Sequence, residues 1–97
     1  MKQRLLEELE GLRDAHRRAT TQDAFDALEL RLRTVEALSA SASHRSKSER
    51  QSLARVKALV LEAARAHRDG AKQPANFSGA VFTLMQAVRR GTSGYDV

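Results

Sequence analysis

Lys47, Arg50, Lys57, Arg65 and Arg68 share one series with Ala54 and Leu61, stepping 3, 4, 3, 4, 4 and 3 residues. On an α-helix these positions fall within roughly 80° of one another and run about 31 Å from first to last. A row of fixed cations of that length matches several successive phosphates of a nucleic-acid backbone, whose condensed counterions it would release. Guanidinium groups fork onto phosphate and carboxylate oxygens alike. Arg45 before the row and Lys72 after it would extend the surface, while Arg55, Glu62 and Asp69 occupy the other flank. The competing expectation is a solvated face whose cations pair with acids of a neighbouring helix. Glu7, Glu8, Glu10 and Asp14 of the first predicted helix are the candidates.

Other chemistries find little support. Serines stand at 39, 41, 43, 46, 48, 52, 78 and 93, none in a Gly-x-Ser-x-Gly elbow, and His44 beside them lacks an orienting acid. His16 and His67 fall on the apolar stripes of two helices. Facing each other they could share a metal, but a stable site needs two more inward ligands, so each is expected to be a hydrogen-bonded histidine at the core edge, with no metal. A phosphotransfer histidine would stand exposed in mid-helix; His67 lies at a helix end and His44 in a linker. The glycines form neither a Gly-x-Gly-x-x-Gly nor a Walker pattern, and no cysteine is present to serve as nucleophile or thiolate ligand. These features predict a protein that is not an enzyme and takes no cofactor.

Four helical segments must position the cationic row. The first, Lys2 to about Ala19, repeats Leu5, Leu9, Leu12, His16 and Ala19 on one face. Its acids Glu7, Glu8 and Glu10 sit toward the start and Arg17 and Arg18 at the end, as the helix dipole prefers. Thr20 or Thr21 caps the second, Thr20 with Asp23 resembling a capping box, and Phe25, Leu28, Leu32 and Val35 form its stripe to about Leu38. Glu29 and Arg33 make an i,i+4 pair on its wet side. Residues 39–45 read as a flexible connector. Ser46-Lys47-Ser48-Glu49 is a capping box that opens the third and longest helix, closed by Gly70. Asn76 or Ser78 caps the fourth, which carries Phe77, Val81, Leu84, Met85 and Val88 and ends at Arg89-Arg90-Gly91.

The chain of 97 residues, 41% apolar with 16 Ala and 12 Leu and few β-branched residues, is expected to be all-α: a small four-helix bundle, mostly antiparallel. Residues 1–91 make a single domain and 92–97 a frayed tail. Net charge is +5, and all of the excess lies after residue 40. Leu30 and Leu61 lie off their core stripes and suggest a protein-interaction surface. Phe82 reads as core or near-core, but because the fourth helix could itself dock on a partner it joins Leu30 and Leu61 as a candidate protein-interaction residue. Only Tyr95 reads as a free ring, so there is no base-stacking platform and binding would address backbone rather than bases. The expected function is a non-enzymatic helical subunit that binds RNA or DNA backbone and helps neighbouring protein subunits assemble a nucleoprotein complex. The alternative is an adaptor or inhibitor that docks on an acidic protein surface. A homo-oligomer is open. With no apolar run near 18 residues and a charged N-terminus, a cytoplasmic protein without membrane association is expected.

Overall fold

The structure, a computed structural model, describes residues 2–42 and 44–91. Four helices follow in order: α1 Lys2–Arg18, α2 Gln22–Ala40, α3 Lys47–Arg68 and α4 Phe77–Arg90, and no strand occurs among the described residues. Each helix packs on two neighbours, α1 on α2 and α4, α3 on α2 and α4, so the chain closes a four-membered ring of mostly antiparallel helices. α1 and α3 lie across the diagonal. The expected frayed tail, 92–97, lies outside the described residues, as does Tyr95.

The apolar periodicities converge on one core. Leu5, Leu9 and Leu12 of α1, Phe25, Leu28, Leu32 and Val35 of α2, Val56, Val60 and Ala63 of α3, and Phe77, Val81, Leu84 and Val88 of α4 are all buried together. Leu59 and Ala66 of α3 are buried as well.

The helix ends follow local chemistry, with three departures from expectation. Thr21, extended at φ −119°, is the cap of α2: its Oγ1 accepts from the Ala24 amide at 3.1 Å, so the Thr20 capping box is not used. Ser46 caps α3 by accepting from the Glu49 amide at 3.1 Å. α3 ends in a Schellman motif. Gly70 sits at φ 67°, its amide donates to the His67 carbonyl, and the Ala71 amide donates to the Ala66 carbonyl at 2.8 Å. Asn76 precedes α4 as expected, but at φ 65° its side chain makes no capping hydrogen bond. No acid lies in the first turn of α1, because the helix begins at Lys2, ahead of Glu7.

The connector between α2 and α3 is shorter than its composition suggests. Ser39 and Ala40 belong to α2, and Ser39 is buried, continuing the Leu32–Val35 stripe at i+4. Ser41 Oγ donates to the Leu38 carbonyl, and Ala42 packs on the core. Gly11 has a specific use in mid-helix. A Cβ there would meet Arg31 Nη1 of α2 at 3.0 Å, so its bare surface is where that guanidinium lies.

Candidate nucleic-acid interface

α3 is unbroken for 22 residues, and this brings the predicted row onto one solvent edge. Lys47, Arg50, Lys57, Arg65 and Arg68 are all exposed, with Ala54 and Leu61 between them, and exposed Lys72 follows the turn. The row borders the seam with α2, as two ion pairs show. Lys57 Nζ lies 3.4 Å from Glu36 Oε2, and Arg68 Nη2 lies 3.8 Å from Asp26 Oδ1. Among the described residues, no carboxylate lies within 4 Å of Lys47, Arg50, Arg65 or Lys72.

The acids that reach the row are therefore those of α2, not α1. α1 is diagonal to α3 and pairs Glu8, Glu10 and Asp14 with its own arginines. Arg4 pairs with Glu8, Arg13 with Glu10, and both Arg17 and Arg18 with Asp14. Arg45 leaves the row: it is half-buried, and its Nη1 donates to Ser39 Oγ at 3.2 Å. The expected Glu29–Arg33 pair is not formed within 4 Å. Arg33 is instead an exposed cation on α2, one turn before Glu36, and the sequence reading did not include it in the row. Its signal was the helical step of 3 to Glu36, readable only once Glu36 is known to face α3.

Three large apolar side chains are exposed: Leu30 at 63%, Leu61 at 43% and Phe82 at 46%. Phe82 is thus not a core ring. It follows buried Val81 and points away from the Phe77–Val81–Leu84–Val88 stripe. Leu61 stands within the cationic row and lines a shallow depression with Arg65, Ala66 and Lys72.

The histidines are occupied in packing. At the end of the bundle where α1 and α3 finish and α2 and α4 begin, each helix contributes one ring. His16 stacks on Phe77 at 3.8 Å, meets Phe25 edge-on at 6.1 Å, and Phe25 stacks on His67 at 4.7 Å. Phe25 therefore separates the two imidazoles that could otherwise have shared a metal. Among the described residues, no three of His, Cys, Asp and Glu cluster in a way that could hold a metal ion.

Each imidazole has a glutamine beside it. Gln22 Nε2 donates to Asp26 Oδ1 at 2.9 Å and to the Ala64 carbonyl at 3.0 Å. Its Oε1 must then face His67 Nδ1, 2.8 Å away, which makes that nitrogen the donor. Gln73 Nε2 donates to the Ala63 carbonyl at 3.0 Å. Gln73 Oε1 and His16 Nε2 are both buried without a partner at hydrogen-bond distance. Burial holds the His16 pKa below its ordinary 6.5, and the nearby Gln73 side chain offsets this in part.

No helix of the described residues is long and apolar enough to cross a membrane. Comparison with known protein families, with curated proteins and with solved structures finds no match.

Proposed function

We propose that this protein is a non-enzymatic helical subunit that binds nucleic-acid backbone along the outer edge of α3, without reading base sequence, as part of a cytoplasmic nucleoprotein assembly. The observation that carries the reading is the exposed row on an uninterrupted helix, in which Lys47, Arg50, Arg65 and the following Lys72 have no carboxylate within 4 Å among the described residues. Fixed cations at helical spacing gain affinity by displacing counterions from phosphates, and that gain carries no base information. The three phenylalanines support backbone recognition over stacking, since Phe25 and Phe77 are buried and Phe82 lies on α4, away from the row.

The test is fluorescence anisotropy with labelled RNA and DNA duplexes across a salt series. The logarithm of affinity should fall linearly with the logarithm of salt, with a slope of about −0.9 for each phosphate engaged on B-DNA. Replacing Arg50 and Arg65 with Glu should abolish binding while leaving helical circular dichroism intact. Absence of binding at low salt, or a flat slope, would remove the reading.

A second reading rests on Leu61. An apolar side chain 43% exposed in the middle of the row suits a protein surface that offers carboxylates around an apolar residue. A clean preparation that captures one acidic protein and no nucleic acid would favour it.

A further inference from the structure

We propose that Asp26 and Glu36 of α2 are built-in competitors for the α3 edge: they occupy Arg68 and Lys57 in the free protein, and a polyphosphate backbone must displace them to engage the full row. The inference rests on the reading of α3 as a nucleic-acid interface and concerns how that interface is regulated.

The geometry is that of a matched pair of clips. Asp26 and Glu36 are ten residues apart on α2, about 15 Å along the axis, and Lys57 and Arg68 are eleven apart on α3, about 16.5 Å. The helices run antiparallel, so Glu36 meets Lys57 and Asp26 meets Arg68. Both acids are partly exposed, and so are both cations, which places all four charges where a ligand on the α3 edge would meet them. One clip is braced from behind. Gln22 donates to Asp26 Oδ1, the same oxygen that faces Arg68, and is itself anchored on the Ala64 carbonyl and on His67. Asp26 therefore keeps a hydrogen-bond partner at the seam when Arg68 moves away.

A carboxylate at this position acts twice. It satisfies the cation in the free state, and once displaced it stays near the phosphate path as a like charge. Exposed pairs are weak enough for a polyanion to open, so the clips set a threshold rather than a block. Arg50 and Arg65 have no carboxylate within 4 Å among the described residues and would make the first contacts.

The experiment compares wild type, D26N/E36Q and a control, E7Q/E10Q, which makes the same charge change on α1 across the diagonal. The probe is a fluorescein-labelled 20-base-pair RNA duplex at 100 mM salt, where screening over about 10 Å mutes distant charges. The Asn of D26N keeps an oxygen that can accept from Gln22, and Glu36 is a partly exposed surface side chain, so the fold should survive, and circular dichroism checks it. D26N/E36Q should bind about 2- to 25-fold tighter, the loss of two exposed pairs expressed as affinity, and E7Q/E10Q should gain less. If D26N/E36Q fails to fold, wild-type-background variants carry the test: K57A/R68A should lose less affinity than R50A/R65A, because clipped cations contribute net of the clip. Equal gains in the two acid variants, or equal losses in the two cation variants, would overturn the clips while leaving the interface intact. No binding by any of the proteins would overturn the interface and the clips together.

Discussion

The imidazole of His16 lies flat on the ring of Phe77, centroids 3.8 Å apart and planes 6° from parallel. This contact joins the end of α1 to the start of α4, the first and last helices of the chain. It also takes one imidazole out of water, which disfavours its charged form.

Stability should therefore fall in mild acid. The folded His16 pKa lies below 6.5, so below pH 6.5 the unfolded chain binds more protons than the folded one. The contribution of neutral His16 is fully present above that pH and is lost as pH drops toward the folded value. Thermal melts between pH 7.5 and 5 should show Tm declining on the acid side, and His16→Leu should flatten that part of the profile. A profile unchanged by the substitution would mean that another group is responsible.

Leu28 and Leu30 make a matched pair on one helix, the first buried and the second 63% exposed. Leu28→Ala should cost about 2–5 kcal/mol, the range for emptying a core position. Leu30→Ala should stay within about 0.5 kcal/mol, as surface changes do. Urea unfolding of the two variants measures both.

Gly70→Ala should destabilise by about 1–2 kcal/mol, since φ 67° is strained for any residue with a Cβ. Space is not the cause, because a Cβ at Gly70 would meet nothing within 4 Å. Gly70→Asn should be milder, as Asn tolerates the left-handed region, and chemical denaturation would rank the three proteins.

Gly11→Ala sets two effects against each other. Helix propensity favours Ala by about 1 kcal/mol, whereas the new methyl group must push Arg31 Nη1 away from 3.0 Å. The obstacle is the tip of a long flexible side chain, so the propensity gain should win and Tm should rise. A fall in Tm would show that the Arg31 contact is worth more than the helix preference.

Much of the fold was legible because helix periodicity and end chemistry are local. Leu5, Leu9 and Leu12 announce a buried face by spacing alone, and Ser46 and Gly70 mark the two ends of α3 by their own conformational preferences. The partners of the cationic row were not legible in this way. Whether Lys57 meets an acid of α1 or of α2 depends on which helices are adjacent and which diagonal, and periodicity does not carry that information. Ser39 was misplaced because the Ser-Ala alternation around it has a linker's composition, although it lies at i+4 from Val35. Arg45 was misplaced with it, since it bends back to that buried hydroxyl. Residue type draws Phe82 toward the core, but its position beside Val81 turns it off the stripe and leaves it exposed on α4.

The diagonal placement of α1 and α3 has a consequence at long range. Because α1 settles most of its charges within itself while α3 keeps a surplus, the molecule has one electrically quiet ridge and one positive ridge on opposite corners. A polyanion that comes within about a Debye length, roughly 10 Å at 0.1 M salt, would feel a torque as well as a pull, so the protein would meet it already turned, α3 leading, before any two atoms touch.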